Sequence, residues 1–363
     1  MVGSTHFSKT TIKRSVYLNR RDAFVTDTES YFNFFRMSPQ LFDNLLSIVG
    51  PVIAKKDTNY RDSIQPKDRL ALTLRIGRST TSAIIKETCE AISSSLKPIV
   101  LAKPDQNKWL DIAEAYYETA PPKSGSRFHN YKGTFSIILL ACVDANYKFV
   151  LVDIGAEGHN SDGGVFRNSI FGQSLEKGTL QLPCPLEIAG TTNMLPFLFI
   201  GDEAFPVKNN LMRPYPGIAL SKDKAIFNYR LSRARRCVEN AFGIMASRFR
   251  IFRKPLVSSL ESSTFAVAAA VCLHNYIKSA EEGVPFCERR YCPLDYADNV
   301  SPDGCINDGK WRTEEALAIN RLSRTGSNMY SRQAEDIRTL LNYFCHEGAT
   351  AWQDAHIAKN GKN

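Results

Sequence analysis

The sequence predicts an α/β protein preceded by an all-helical N-terminal module. Two pattern changes in the 363-residue chain support this fold class. Apolar residues recur at helical spacing over residues 38–119, whereas the continuous apolar runs typical of buried strands begin at Phe135. Between them, the breaker cluster PPKSGS at 121–126 marks a boundary. We expect an N-terminal arm and helical module over 1–120, an α/β domain over 121–280 and a tail over 281–363.

The helical module begins at Ser38, which precedes Pro39 as an N-cap precedes a first helical residue. An apolar stripe follows at helical spacing, and Gly50-Pro51 is the predicted end of this helix. Further helices are expected over about 66–74, after the cap at Ser79-Thr80, and after Asp105.

The α/β part begins with two apolar runs, FSIILLACV at 135–143 and KFVLVDI at 148–154. The turn residues 144–146 separate them and predict a hairpin of buried strands. A third strand is predicted over 195–200. Helices are predicted near 165–171 and over 227–249, 264–277 and 334–344.

Composition excludes several classes of protein. Apolar residues make up 43% of the chain and charged residues 23%, which excludes a wholly disordered chain. The longest uncharged apolar runs have nine residues, so no membrane partner is expected, and the N-terminus lacks a secretory h-region. The nine cysteines form no Cys-x-x-Cys pair, and Cys287, Cys292 and Cys305 with His274 fit no compact zinc spacing.

Positive charge is concentrated in one segment. The whole chain carries a net charge of +9, of which residues 230–254 contribute +7. Arg230, Arg233, Arg235 and Arg236 begin this segment, and Glu239 is its one acid. A basic strip of this density predicts contact with a nucleic-acid phosphate backbone.

Two carboxylates are candidates for chemistry. Asp202 follows a predicted apolar strand, a position where α/β folds place reactive groups, although a loop acid or helix cap is the plainer interpretation. Glu239 lies three and four residues after Arg236 and Arg235, so helical ion pairing is one interpretation. The other is that Asp202 and Glu239 together hold Mg²⁺ or Mn²⁺, which prefer oxygen ligands.

Four blocks in order resemble the DDE-type nuclease domain of Harbinger (PIF) transposases and their domesticated relatives. The blocks are NYKGTFSIILLACVDANYKFVLVDIGAEGHNSDGGVFRNS, FIGDEAFPVKNNLMRPYP, FNYRLSRARRCVENAFGIMASRFRIF and AAAVCLHNYI, spanning about 124–277. The resemblance implies an RNase H-like mixed sheet flanked by helices. It implies that Asp202 and Glu239 are the second and third catalytic carboxylates and bind Mg²⁺ or Mn²⁺. It also implies a nuclear protein, with the cytoplasm as a further location, that acts on DNA with a Myb-like DNA-binding partner.

The chain departs from the family pattern twice. The strand with a motif like GAIDGKH, whose Asp is the first catalytic carboxylate, is missing between Ala120 and Ser124. A helix is also missing within Leu72–Ser79, where the family has a helix-turn-helix-like unit. We therefore expect a transposase-derived nuclease with impaired activity. The alternatives are a catalytically inactive DNA-binding or chromatin-associated protein, and a non-functional product of mis-spliced sequence.

Overall fold

The computed structural model describes ten segments of the chain, and the structural statements below concern these segments. They are residues 27–57, 63–75, 82–110, 137–157, 162–187, 192–217, 220–253, 259–300, 306–313 and 331–347. The breaker cluster at 121–126, Ser79-Thr80 and the predicted gap between Ala120 and Ser124 lie outside the described residues, as do residues 76–79 of the second predicted gap.

The described elements are four N-terminal helices followed by runs of strands and helices. The helices are α1 (Thr28–Phe35), α2 (Pro39–Ile53), α3 (Pro66–Arg75), α4 (Ser82–Val100), α5 (Asp162–Asn168), α6 (Ile170–Glu176), α7 (Lys222–Arg248), α8 (Leu260–Ala280) and α9 (Arg332–Glu347). The strands are β1 (Ile137–Val143), β2 (Phe149–Glu157), β3 (Leu186–Glu187), β4 (Met194–Leu195), β5 (Phe199–Ile200), β6 (Leu211–Met212), β7 (Asn299–Val300) and β8 (Ile306–Asn307). Residues 106–110 are also helical. The α/β fold class is therefore confirmed.

Helix α2 begins as predicted but ends later. The Ser38 hydroxyl accepts a hydrogen bond from the Leu41 N–H at 3.2 Å, which is the expected N-cap contact. The helix continues through Pro51 to Ile53, although proline lacks a backbone N–H. Ile53 is buried in the core, and its burial offsets the lost hydrogen bond.

The predicted hairpin is confirmed. Strands β1 and β2 pair antiparallel, with Leu140 opposite Asp153. In the turn, Asp144 Oδ1 accepts hydrogen bonds from the backbone N–H groups of Asn146 and Lys148 at 2.9 and 2.8 Å. Burial raises the pKa of the Asp144 carboxyl, and this carboxylate serves the turn by satisfying backbone donors.

The third predicted strand, 195–200, is divided in the structure. Leu195 pairs in a short antiparallel hairpin of β3 and β4, whereas Phe199–Ile200 pairs in parallel with Leu211–Met212 of β6. Pro196 lies between the two pieces and cannot donate a ladder hydrogen bond. All four sheets formed by the described residues are two-stranded. The predicted helix near 165–171 is likewise divided into α5 and α6 at Ser169.

The main core joins elements from both predicted domains. It contains buried residues of α1–α4, the hairpin, the C-terminal half of α7, α8 and the segment 291–297. Helix α8 packs along α4 and also contacts β2. The predicted domain boundary at residue 120 lies outside the described residues, but the described helices on its N-terminal side share this core.

A smaller core surrounds the N-terminal half of α7. Ile226, Phe227 and Leu231 pack there with Met212 of β6 and Ala334 of α9. Helix α7 therefore spans two apolar clusters, and the stretch between them carries the basic segment and Glu239.

The side chain of Asn275 on α8 connects three elements by hydrogen bonds. Its Oδ1 accepts a hydrogen bond from the Phe149 N–H at 2.9 Å, and its Nδ2 donates to the carbonyls of Phe149 and Val100 at 2.7 and 2.9 Å. These bonds connect α8 with β2 and with the end of α4. The preceding His274 is buried between the Tyr291 hydroxyl and the Tyr147 carbonyl, and burial lowers the pKa of His274 to about 3.

Replacing Asn275→Ala is expected to destabilise the chain by about 2–4 kcal/mol, because it leaves buried groups of Phe149 and Val100 without hydrogen-bond partners. Urea unfolding followed by circular dichroism measures the change. Asn44→Ala, at an exposed position inside α2, is the matched control and should change stability by less than about 0.5 kcal/mol. Equal effects from the two variants would contradict the role given to Asn275.

Candidate metal and nucleic-acid site

Asp202 lies in a well-defined loop directly after β5. The preceding Gly201 donates its N–H to the Met212 carbonyl at 2.9 Å, which extends the parallel pairing of β5 and β6. The Asp202 Oδ1 accepts a hydrogen bond from the Ala204 N–H at 3.0 Å. This local bond is typical of an Asx-turn and fixes the carboxylate at the end of the strand.

Arg213 supports the same loop from β6. Its guanidinium is buried and donates to the carbonyls of Glu203 and Phe205 at 2.8 and 3.2 Å. Arg213, the residue directly after β6, therefore links Glu203 and Phe205 of the Asp202 loop to the end of that strand. The sequence analysis did not single out this residue, although an arginine just after a strand residue in an apolar context was the available signal.

Glu239 lies on α7, between the two apolar clusters. Its side chain is 16% exposed and has two guanidinium groups within ion-pair distance: Arg235 of the same helix at 3.9 Å and Arg312 from the C-terminal region at 3.8 Å. The helical ion pair predicted with Arg235 is therefore present. The pair with Arg312 was not predicted, because 73 residues separate the partners.

Asp202 and Glu239 lie on elements that touch. Helix α7 contacts β5, and Asp202 comes two residues after that strand ends. The parallel pairing of β5 with β6 fixes where the strand ends, and the two apolar clusters fix α7. The packing beside β5 and β6 involves Ile226, Phe227 and Leu231 of α7, and Glu239 lies eight residues beyond Leu231 on the same helix.

The four predicted nucleic-acid-binding arginines differ in exposure. Arg230, Arg233 and Arg235 are partly exposed, whereas Arg236 is 5% exposed. Burial lowers the pKa of Arg233 to about 10, and the neighbouring Arg230 and Arg236 charges act in the same direction. Further along α7, Arg248 is buried and donates to the carbonyls of Tyr291 and Arg290, so it stabilises the fold. Within α7, the partly exposed arginines therefore precede Glu239, and Arg250 of the same basic segment is exposed just after the helix.

A segment of the predicted tail covers the helix beside Glu239. We call residues 295–300 and 306–313 the C-terminal clasp. The Asn240 Oδ1 accepts hydrogen bonds from the Asp298 N–H at 3.1 Å and from the Trp311 indole N–H at 2.9 Å. The Trp311 ring lies directly on the backbone of Gly243. The sequence analysis missed the clasp, although a glycine inside a long helix is a signal for close approach by another group.

Within the clasp, Asp298 holds Arg312. The buried Asp298 carboxylate accepts from Arg312 Nε at 2.8 Å and from its Nη2 at 2.5 Å, and also from the Gly309 N–H at 2.9 Å. Burial lowers the pKa of Arg312, but hydrogen bonding to Asp298 and the nearby carboxylates outweigh it, so the net shift is upward. Arg312 is therefore a fixed positive charge.

The donor chemistry at Asp202 and Glu239 suits a hard divalent cation, since both offer carboxylate oxygens. The positive charges of Arg235 and Arg312 would repel a metal cation that approaches the Glu239 carboxylate. Among the described residues, no group of three or more His, Cys, Asp or Glu side chains is arranged to hold a metal ion. Asp202 and Glu239 thus supply suitable oxygen donors, and the two guanidinium groups beside Glu239 act against cation binding there.

Other acidic and histidine side chains of the chain have different positions. Asp162 is the first residue of α5. His274 is engaged by Tyr291 and Tyr147, so its ring nitrogens serve the core. His129 and His159 lie outside the described residues. Within the described ranges, no helix is long and apolar enough to cross a membrane.

Comparison with known proteins shows a similarity for the central region. Residues 111–275 match the family described as DDE superfamily endonuclease. This match includes β1, β2, the Asp202 loop, Glu239 and the Asn275 contact. The central region of the chain is therefore similar to a DDE superfamily endonuclease domain.

A curated relative extends the similarity beyond that region. The chain is 24% identical over 295 residues to the protein named "Protein ALP1-like" from Arabidopsis thaliana, which covers 71% of this chain and 72% of the relative. No solved structure matches the chain.

The packing of the C-terminal clasp on α7 can be tested by a substitution at Gly243. Alanine is the better helix former, so Gly243→Ala would stabilise an open helix by up to about 1 kcal/mol. Here a Cβ would overlap the Trp311 ring, and we expect a loss of about 1–3 kcal/mol instead. Thermal unfolding measures the sign of the change.

Gly283→Ala is the matched control, because a Cβ at residue 283 meets nothing within 4 Å. It should leave stability unchanged or slightly raised. A stabilising effect of Gly243→Ala would show that Trp311 does not pack on α7.

Proposed function

We propose that this chain is a transposase-derived, DDE-type nuclease that binds duplex DNA through α7 and whose metal-dependent cleavage is impaired. The match of residues 111–275 to DDE superfamily endonucleases is the observation that carries this proposal. The order of the blocks that resemble Harbinger nucleases supports the transposase origin. The proposal of a DDE-type endonuclease rests on this similarity. The proposals of DNA binding and of impaired cleavage rest on particular residues of the chain.

We assign an RNase H-like arrangement to the α/β part. Helix α7 contacts both β1 of the hairpin and β5, so the two strand pairs share one flanking helix. The strand pairs are separate sheets in the described residues. In the family arrangement, a central strand pairs with the hairpin on one side and with the Asp202 strand on the other. Two separate strand pairs beside one helix are consistent with loss of that central strand.

Asp202 and Glu239 would hold the divalent cation, Mg²⁺ or Mn²⁺. Such an ion, when bound, supplies charge stabilisation at a phosphodiester. The chain's own part is to hold the two carboxylates: Arg213 fixes the loop of Asp202, and the two apolar clusters fix the helix of Glu239. The family's first carboxylate has no counterpart in the sequence, so cation affinity and positioning should both be weak.

Arg230, Arg233 and Arg235 would contact DNA phosphates. They are partly exposed and precede Glu239 on the same helix. Guanidinium groups bind phosphate oxygens in bidentate geometry, and such contacts carry no base sequence information. Arg236 is assigned to the same surface, but it is buried and interacts electrostatically with Asp298 and Glu239.

A second function is favoured by the environment of Glu239. Two guanidinium groups already lie within 4 Å of its carboxylate, which suits a catalytically inactive DNA-binding or chromatin-associated protein. Binding through α7 is common to both functions. The Myb-like partner protein and the nuclear location remain predictions from the family resemblance.

Replacing Arg230, Arg233 and Arg235 together with alanine should weaken binding to duplex DNA of any sequence. Each lost phosphate contact removes about 0.9 from the slope of log affinity against log salt concentration, so the slope should fall by about 2–3. Fluorescence anisotropy with two unrelated duplexes at several salt concentrations measures both quantities.

The matched control replaces Lys56, Lys108 and Lys177, three exposed lysines outside α7, with alanine. It removes the same charge and should leave the salt slope nearly unchanged. Equal slopes for the two triple variants would contradict a DNA-binding surface on α7.

A further inference from the structure

The positive charge beside Glu239 is delivered by a separate part of the chain. Arg312 lies 3.8 Å from the Glu239 carboxylate, but its shorter contacts are with Asp298, at 2.5 and 2.8 Å. The side chain of Asp298 is fully buried, whereas that of Arg312 is 24% exposed. Asp298 therefore fixes the guanidinium, and Glu239 receives its charge without being its main partner.

The clasp attaches to α7 directly around Glu239. Asn240, the next residue, binds both the Asp298 backbone and the Trp311 indole, and Trp311 covers Gly243 one turn further on. The Tyr296 hydroxyl and the Ser247 hydroxyl share a hydrogen bond of 2.8 Å another turn along the helix. These packing contacts and hydrogen bonds fix the position of the Arg312 guanidinium relative to the Glu239 carboxylate.

A cation bound to the Glu239 carboxylate would lie about 2.0–2.6 Å from its oxygens, and so within a few ångströms of the Arg312 guanidinium. The two positive charges would repel each other in a partly buried setting, where charges interact more strongly than in bulk water. Divalent cation and guanidinium therefore compete for one carboxylate.

We propose that the C-terminal clasp is an autoinhibitory element that holds the Arg312 charge beside Glu239 and thereby opposes cation binding to that carboxylate. The inference rests on the proposed function, in which Glu239 is a metal ligand. It adds a regulation of that site: with the clasp docked, cation affinity is low, and displacement of Arg312 raises it.

The test measures Mn²⁺ binding to the full chain, from the electron paramagnetic resonance signal of free Mn²⁺. Arg312→Gln should raise the affinity about tenfold, because it removes the competing charge. Arg312→Lys keeps that charge and should stay within about threefold of the unaltered chain. In a Glu239→Gln background, Arg312→Gln should have no effect.

The autoinhibitory role would be contradicted if the Arg312→Gln variant and the unaltered chain had equal Mn²⁺ affinity. It would also be contradicted if the increase in Mn²⁺ affinity persisted in the Glu239→Gln background. An increase of the same size in Arg312→Lys would also overturn it, because loosened packing would then be the cause. If Arg312→Gln unfolds the chain by leaving Asp298 without its cation, the double variant Asp298→Asn and Arg312→Gln removes both charges and takes its place.

Asp202→Asn, made in the Arg312→Gln background, separates the inference from the proposed function. A fall in Mn²⁺ affinity supports a site shared by Asp202 and Glu239. An unchanged affinity, together with an increase from Arg312→Gln that depends on Glu239, would refute the shared site and leave the competition at Glu239 standing.

Discussion

Asn275 makes the contact on which the described structure most depends. It binds both backbone groups of Phe149 and the carbonyl of Val100, so one side chain fixes the hairpin and α4 to α8. Strand β2 has only β1 as a strand partner among the described residues, and an isolated two-stranded sheet is marginally stable in water. The hairpin therefore relies on α8 and α7 for its position, and α7 also carries Glu239 and contacts β5.

Helix α7 has a comparable fixed point at Asn240. Its amide accepts the Asp298 and Trp311 N–H groups and donates to the Asp298 carbonyl. The contact links a distant part of the sequence to the residue beside Glu239, and it places the buried Asp298 carboxylate where it can hold Arg312. The charge at the candidate site thus follows from a packing contact. A surface ion pair contributes little to stability by itself. Because the clasp holds Arg312 in place, the positive charge beside Glu239 has a fixed position.

Much of the fold could be predicted from the sequence, because helix and hairpin signals are local. The Ser38 cap, the turn at 144–146 and the long helix bearing Glu239 follow from spacing and turn chemistry. The division of the third strand depended on Pro196 and on pairing with Leu211–Met212, which is a non-local contact. The carboxylates Asp202 and Glu239 were found from position and family resemblance. Arg213, Asp298 and Arg312 were not found from the sequence. The partners of Arg213 lie only 8 and 10 residues away, but the contacts of the clasp with α7 join Asp298 to Asn240 and Arg312 to Glu239, which are 58 and 73 positions apart.

The central claim is that the chain keeps the DNA-binding helix of a DDE nuclease without effective cleavage. A nicking assay on supercoiled plasmid with Mn²⁺ tests it most directly, comparing the unaltered chain, the chain with a GAIDGKH-containing segment inserted between Ala120 and Pro121, and that repaired chain with Asp202→Ala. We expect little or no nicking by the unaltered chain, because two-metal phosphoryl transfer needs carboxylates on both sides of the ions, and nicking by the repaired chain that Asp202→Ala abolishes. Robust nicking by the unaltered chain, abolished by Asp202→Ala in that chain, would contradict the account.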